Sequence, residues 1–353
     1  MDALRFSFGP PPTDGPFSFS VDLPEGNYDV AVTLGDPAGE SETTVRAESR
    51  RLMLEKVRAG RGETVERTFT VNIRNDRLAP PPQNAPGGSR VLLNAREAGA
   101  LHWDDRLTLE FLGARPRVSA LGIRPAPDAP TVFLAGDSTV TDQPAGTYYS
   151  WGQMLPRFFK PGIAVANHAE SGETLKSFLT ELRLAKILSL MKAGDWLFLQ
   201  FGHNDQKEQW PQTYVDPRTT YAAYLRVFIA EARLRGAHPV LVTSMHRRQF
   251  DGGGRIRDTL AGYPEAMKAV AEAERIPLID LHAMSAALYE ALGPERAPLA
   301  FAEEGRDATH HGHYGAYELA RCVVEGIREK VPELARHLAH DVPRFDPARP
   351  DPV

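Results

Sequence analysis

From residue 131 onward the sequence repeats one pattern, a short unbroken apolar run followed by an amphipathic stretch. The runs fall at 132–135, 163–166, 196–201, 240–243 and 277–281, and helical spacing appears near 151–159, 174–192, 218–235, 260–274, 282–292 and 314–331. A run with no polar alternation predicts a strand covered on both faces. Strands of that kind alternating with helices predict a parallel sheet between two helical layers. The binding face of such a sheet lies beyond the carboxyl ends of its strands, so polar residues directly after each run are the first place to look for chemistry.

The earlier part of the chain reads differently. Phe6-Ser7-Phe8, Tyr28-Asp29-Val30-Ala31-Val32, Thr68-Phe69-Thr70-Val71-Asn72-Ile73 and Leu107-Thr108-Leu109-Glu110-Phe111 alternate in period two between Gly, Pro and Asp turns. That pattern predicts antiparallel strands in a sandwich. The Pro-, Asn- and Gly-rich stretch 80–88 predicts an exposed loop. The proline cluster at 125–130 predicts the linker, since proline is excluded from helix and sheet interiors. The expected organisation is an accessory β-sandwich over 1–128, an α/β domain over 129–340 and a C-terminal tail over 341–353.

Composition removes several function classes. A net charge of -5 and a pI near 6.1 give no electrostatic footprint for nucleic acid. No run of 18 apolar residues occurs, so no membrane span is expected. The single cysteine, Cys322, lies in an apolar helical pattern and reads as a small buried hydrophobe. The N-terminal segment Met1-Asp2-Ala3-Leu4-Arg5 has no signal-peptide hydrophobic region. Two placements stay open, cytoplasmic or secreted/periplasmic after loss of a leader, and the oligomeric state is not readable.

Four polar blocks follow the apolar runs. Gly136-Asp137-Ser138 closes the first, and Gly136 is expected to let the chain turn sharply there. A helix cap made by Asp137 and Ser138 is the competing reading. Gly172, in Glu170-Ser171-Gly172-Glu173, can bring a backbone N–H against a ligand or simply form a turn. Gly202-His203-Asn204-Asp205 follows the third run. Its Asn204 amide can donate to an oxyanion or close a turn, while His203 and Asp205 read as supporting or turn residues. Asp307-Ala308-Thr309-His310 precedes the last helix. A serine hydroxyl needs a general base, and an imidazole base needs a carboxylate to fix its tautomer. The competing reading of this segment is a metal site, because His310, His311 and His313 crowd together.

In their order and spacing, Gly136-Asp137-Ser138, Gly172, Gly202-x-Asn204-Asp205 and Asp307-x-x-His310 resemble the four signature blocks of the GDSL/SGNH hydrolase family, over about residues 131–331. The resemblance implies a three-layer α/β/α flavodoxin-like fold. It also implies Ser138 as nucleophile, His310 as base, Asp307 as the group orienting the imidazole, and an oxyanion hole of Ser138 N–H, Gly172 N–H and the Asn204 side chain. It requires no cofactor and no metal. The wording around the blocks, Thr139-Val140-Thr141-Asp142-Gln143, Ser150-Trp151-Gly152-Gln153, Gln206-Lys207 and Thr243-Ser244-Met245-His246-Arg247-Arg248, resembles the rhamnogalacturonan acetylesterase-like branch. Acetylated polysaccharide or oligosaccharide is then the expected partner.

His203, Trp151, Arg247, Arg248 and His311 are the candidate substrate contacts. Arg247 and Arg248 can pair with acidic sugars such as galacturonate, or belong to a solvated loop. Two departures from the branch, Glu173 where Arg is common and His311-Gly312-His313 where Phe-Asn is common, are expected to border the substrate. The first 128 residues resemble galactose-binding-like sandwiches, and Trp103 is either a sugar-stacking or a core residue. The expected function is an acetylesterase of rhamnogalacturonan or pectin. A xylan or other glycan acetylesterase, a lipolytic esterase and a non-catalytic carbohydrate-binding protein are the alternatives. The polar stretch Asp251-Gly252-Gly253-Gly254 offers no apolar acyl channel and argues against lipolysis.

Overall fold

The computed structural model describes residues 3–9 and 15–352; Met1, Asp2 and Val353, read above as parts of the N-terminal segment and the tail, lie outside them. The chain divides into two compact units. One gathers the segments up to Asn75, Asn94–Thr131 and Pro156–Ala166, and the other gathers Asp76–Leu93, Val132–Leu155 and Asn167 onward.

The first unit is a pair of four-stranded antiparallel sheets. Its strands are β1 (Leu4–Ser7), β2 (Phe17–Asp22), β3 (Gly26–Gly35), β4 (Ser41–Ala47), β5 (Arg51–Ala59), β6 (Thr64–Ile73), β7 (Arg106–Arg115) and β8 (Val118–Pro125), ordered β1-β8-β3-β6 and β2-β7-β4-β5. The period-two patterning has the expected cause. Along β4 buried and partly exposed residues alternate without exception, so this strand gives one face to a shared core, whereas β6 is buried on both faces from Phe69 to Ile73. Val30, Val32, Leu34, Val45, Leu109, Phe111, Leu121 and Ile123 meet in that core. The proline-rich stretch predicted as a linker is tied down. Asn27 accepts from Ala126 N–H through its carbonyl, and its amide donates to the Ala129 carbonyl and the Thr131 hydroxyl.

The parallel sheet holds β9 (Thr131–Gly136), β10 (Ala164–Asn167), β11 (Trp196–Gln200), β12 (His238–Val242) and β13 (Leu278–Ile279) in the order β10-β9-β11-β12-β13. Every residue of β9 and β11 is buried, as a strand covered on both faces requires. The helices are α1 (Trp151–Met154), α2 (Leu175–Thr180), α3 (Arg183–Leu190), α4 (Thr220–Leu234), α5 (Tyr263–Glu274), α6 (Leu281–Arg296), α7 (His313–Lys330) and α8 (Pro332–Ala335). The helical pattern over 174–192 is two helices. Leu182 adopts a left-handed conformation (φ 64°) between them, a break that no Gly or Pro in the sequence announces. The loop 80–88 is exposed, as its composition predicts.

The strand order places a topological switch between β9 and β11. Strands on its two sides send their connections in opposite directions, which opens a crevice at their carboxyl ends. Gly136 and Gln200 are register partners there, so the two polar blocks that follow leave the sheet side by side.

Candidate active site

Gly136 serves close packing more than a sharp turn. A Cβ on it would lie 2.7 Å from Val140 Cγ2 and 2.9 Å from the Gln200 carbonyl, so only glycine allows the segment after β9 to fold back here. Val140 N–H and Thr141 N–H both donate to the Asp137 carbonyl. Asp137 is fully buried, and its carboxylate accepts from the Thr139 amide and hydroxyl at 2.9 and 2.7 Å. Burial pushes the Asp137 carboxyl up, but His203, 3.5 Å away, and the Thr139 donors prevail and hold it below the usual carboxylate range. The reverse balance holds at His203, where burial outweighs Asp137 and keeps the imidazole pKa low. The Ser138 carbonyl accepts from Gln143 Nε2 at 2.8 Å. These bonds fix the strand-to-loop turn that presents Ser138 Oγ.

The Asp307 loop is held from several sides. One carboxylate oxygen accepts from the backbone of Thr309 and His310 at 2.6 and 2.8 Å, a side-chain turn of the kind Asp favours. The other oxygen faces His310 Nδ1 at 2.8 Å. Burial pushes the Asp307 carboxyl up, yet the His310 and Thr309 amides and the imidazole bring it below the usual range. An ionised acceptor at Nδ1 keeps the proton on that nitrogen and leaves the Nε2 lone pair free. Nε2 lies 2.9 Å from Ser138 Oγ. The Tyr148 ring meets the His310 ring edge-on at 5.7 Å, and its hydroxyl donates to Glu303, which raises the phenol to about 12.

Gly172 has a φ of 88°, a conformation that favours glycine. Among the described residues no hydrogen bond occupies the N–H of Ser138 or of Gly172. Asn204 Nδ2 donates one hydrogen to the Glu173 carbonyl at 3.1 Å, and its Oδ1 accepts from Lys207 Nζ at 2.7 Å. That pairing sets which end of the amide is oxygen and leaves the second N–H unclaimed. Ser138, Gly172, Asn204, Asp307 and His310 line one pocket of about 520 Å³. Gln143, Tyr148, Ser171, His203, Lys207, Arg247 and Thr309 complete its wall. The arrangement offers a hydroxyl with an imidazole acceptor and three free N–H donors at one place. That is what acyl transfer through a tetrahedral oxyanion needs.

Residues 134–315 match the model of the GDSL-like lipase/acylhydrolase family. The chain belongs to that family. A GDSL-like acylhydrolase is a carboxylic ester hydrolase, and this chain is one. It is 44% identical over 220 residues to rhamnogalacturonan acetylesterase RhgT of Bacillus subtilis (strain 168), covering 59% of this chain and 93% of the relative. It is 29% identical over 340 residues to the uncharacterized esterase YxiM of the same organism, covering 93% of this chain and 78% of that one. The crystal structure of B. subtilis YxiM superposes with a TM-score of 0.55 at 27% identity, over 88% of this chain and 80% of that chain.

Four residues expected at the substrate lie elsewhere in this acylhydrolase. Trp151 is 1% exposed, and its indole N–H donates to Gln200 Oε1 at 2.7 Å in the interior. The Gln200 amide continues to Thr139 Oγ1 at 2.7 Å, so Trp151 props the turn carrying Ser138 from behind. His311 is buried with Nε2 2.6 Å from the Tyr289 hydroxyl, and burial drives it down to about 3. Arg248 bonds the carbonyls of Gly305 and Asp307 and lies over the Phe301 ring, bracing the histidine loop. Glu173 turns inward to Arg183 at 3.1 Å and accepts from Ser177, and burial pushes its carboxyl up to about 8.

His203 and Arg247 do line the pocket. The Arg247 guanidinium reaches Thr259 Oγ1 and the His203 carbonyl. Asp205 is buried and accepts from Leu175 N–H at the start of α2. Trp103 donates to Glu97 and carries the Arg74 guanidinium on its ring. The three crowded histidines do not converge on a metal: His310 faces Ser138, His311 faces Tyr289 and His313 is exposed. Away from the pocket, His246, Asp258 and His282 bring ligating atoms within 4.8 Å of one another, and none of the three lines the pocket that holds Ser138. Tyr148 and Thr309 carry no motif of their own, and only the loop geometry brings them to the pocket.

Proposed function

We propose that this chain is a serine acetylesterase of plant cell-wall polysaccharide, of the rhamnogalacturonan or pectin type, working through an acyl-enzyme on Ser138. The observation that carries the reading is the continuous relay from Asp307 through His310 to Ser138 Oγ at 2.8 and 2.9 Å. Ser138 Oγ attacks the acetyl carbonyl while His310 Nε2 takes its proton. The oxyanion is met by Ser138 N–H, Gly172 N–H and the free Asn204 N–H. The sugar oxygen leaves with the proton from His310. Water then gives a proton to His310 and attacks the acyl carbon, releasing acetate and restoring Ser138.

Two features favour a small acyl group on a polar alcohol. No aliphatic residue lines the pocket among the described residues. A long acyl chain gains about 0.8 kcal/mol per methylene only against apolar walls. The pocket wall also carries two cations, Lys207 and Arg247, suited to a glycan bearing carboxylates. The 44% identity to RhgT supports the same substrate class.

The test is acetate release from acetylated rhamnogalacturonan, acetylated xylan and long-chain p-nitrophenyl esters by the parent and by Ser138→Ala. Acetate from the pectic polymer, lost in the variant, is expected. Hydrolysis confined to long-chain esters, or acetate release unaffected by Ser138→Ala, overturns the proposal.

A further inference from the structure

The six large hydrophobic side chains exposed among the described residues include one aromatic, Trp210, which is 52% exposed. Trp151 and Trp196 are buried, and Trp103 is half-buried against Glu97 and Arg74. Trp210 is exposed and yet held. Its backbone N–H donates to the Lys207 carbonyl at 3.0 Å, and its backbone carbonyl accepts from the Thr213 and Tyr214 N–H groups at 3.0 and 2.8 Å. Lys207 Nζ stands 4.8 Å from the centre of the indole, a cation–π contact that orients the ring.

The same ammonium reaches the pocket, where it lines the wall and bonds Asn204 Oδ1 at 2.7 Å. Asn204, Lys207 and Trp210 thus run from the candidate oxyanion donor to the surface within one segment. An indole fixed with an apolar face in water is a prepaid platform, because ordering it costs a ligand nothing further. The ligand that suits such a face next to a polar pocket is a pyranose ring, whose C–H face is apolar and whose hydroxyl edge is wet.

Resting on the reading above of a glycan substrate, we propose that Trp210, backed by Lys207, forms a sugar subsite outside the acyl pocket and stacks a uronic-acid residue neighbouring the acetylated one. The indole carries the ring, and the Lys207 ammonium attracts the carboxylate. A glycan of several residues is then bound more tightly than a single acetylated sugar.

The decisive experiment compares KM and kcat of the parent, Trp210→Ala and Trp210→Tyr on three probes: acetylated oligogalacturonides, acetylated xylo-oligosaccharides and an acetylated monosaccharide. For Trp210→Ala we expect KM on the oligogalacturonides to rise about five- to tenfold with kcat held, the size of one aromatic contact, and Trp210→Tyr to recover most of it. In the Ser138→Ala background, oligogalacturonide should change the tryptophan fluorescence, and Trp210→Phe should remove that change. An unchanged KM overturns the subsite. A loss of the same size on the monosaccharide overturns it too, by showing a structural disturbance. If the parent deacetylates only the xylo-oligosaccharides, the pectic reading falls and the uronate assignment falls with it. The platform is then decided by the same KM comparison on xylo-oligosaccharides, where no change overturns it.

Discussion

His310 Nε2 stands 2.9 Å from Ser138 Oγ although the two lie 172 positions apart in the chain. Their meeting is arranged from both sides. Ser138 is fixed by the turn after β9, and His310 by the Asp307 side-chain turn and by Arg248. Ser138→Ala removes the hydroxyl and little else, so the fold should persist. Hydrolysis of p-nitrophenyl acetate should fall by about 10^3-fold or more in kcat. Retained turnover with an unchanged circular dichroism spectrum would exclude Ser138 as nucleophile.

Asp307→Asn keeps one acceptor for the Thr309 and His310 amides but presents a neutral amide to His310 Nδ1. The imidazole loses the charge that fixes its tautomer. We expect kcat to drop by about 10^3- to 10^4-fold with KM nearly unchanged. Steady-state kinetics on a soluble acetyl ester would measure this, and a loss confined to KM would speak against the orienting role.

Asn204→Ala deletes one of the three proposed oxyanion donors. Removing a single oxyanion donor costs about 10^2- to 10^3-fold in kcat. The effect should be far smaller in KM, because the interaction forms with the oxyanion. Comparable losses in KM and kcat would place Asn204 in substrate binding instead.

Trp151→Phe separates a core role from a substrate role. The substitution leaves Gln200 Oε1 buried without its donor, which costs about 1–3 kcal/mol of stability. Thermal unfolding should shift downward while KM for acetylated sugar holds. A higher KM at unchanged stability would return Trp151 to the substrate.

Asp205 supplies a pH test. Burial pushes its carboxyl up to about 7, against the lowering effect of the Leu175 N–H. The folded chain therefore binds this proton more tightly than the unfolded one. The stability gained is full below the ordinary carboxylate pKa and is lost as pH rises through about 7. Asp205→Asn keeps an oxygen for Leu175 and carries no charge. Its stability relative to the parent should rise by about 2–3 kcal/mol between roughly pH 5 and pH 8. Denaturant unfolding at several pH values checks this, and a difference that is flat with pH would refute it.

Much of this protein is legible along the chain. Period-two alternation places the middle of β3 and parts of β6 and β7, and unbroken apolar runs place β9 and β11 to within one residue at each end. Both follow from side-chain direction repeating along a regular element. The four polar blocks and their order are equally visible. The break at Leu182 is not, because its left-handed backbone comes with no Gly or Pro signal.

Local periodicity and chain order set the alternation of strands with helices and the polar residues that follow each strand, because side-chain direction repeats along a regular element. The tertiary structure alone decided which of those polar residues share a pocket. Trp151, His311, Arg248 and Glu173 sit in or near the signature segments of the chain and yet point into the interior or brace loops, while Tyr148 and Lys207 line the pocket that holds Ser138. Which way a loop side chain points is set by long-range bonds, such as Trp151 to Gln200 and Tyr289 to His311. Such bonds join residues tens of positions apart and leave no trace in local spacing.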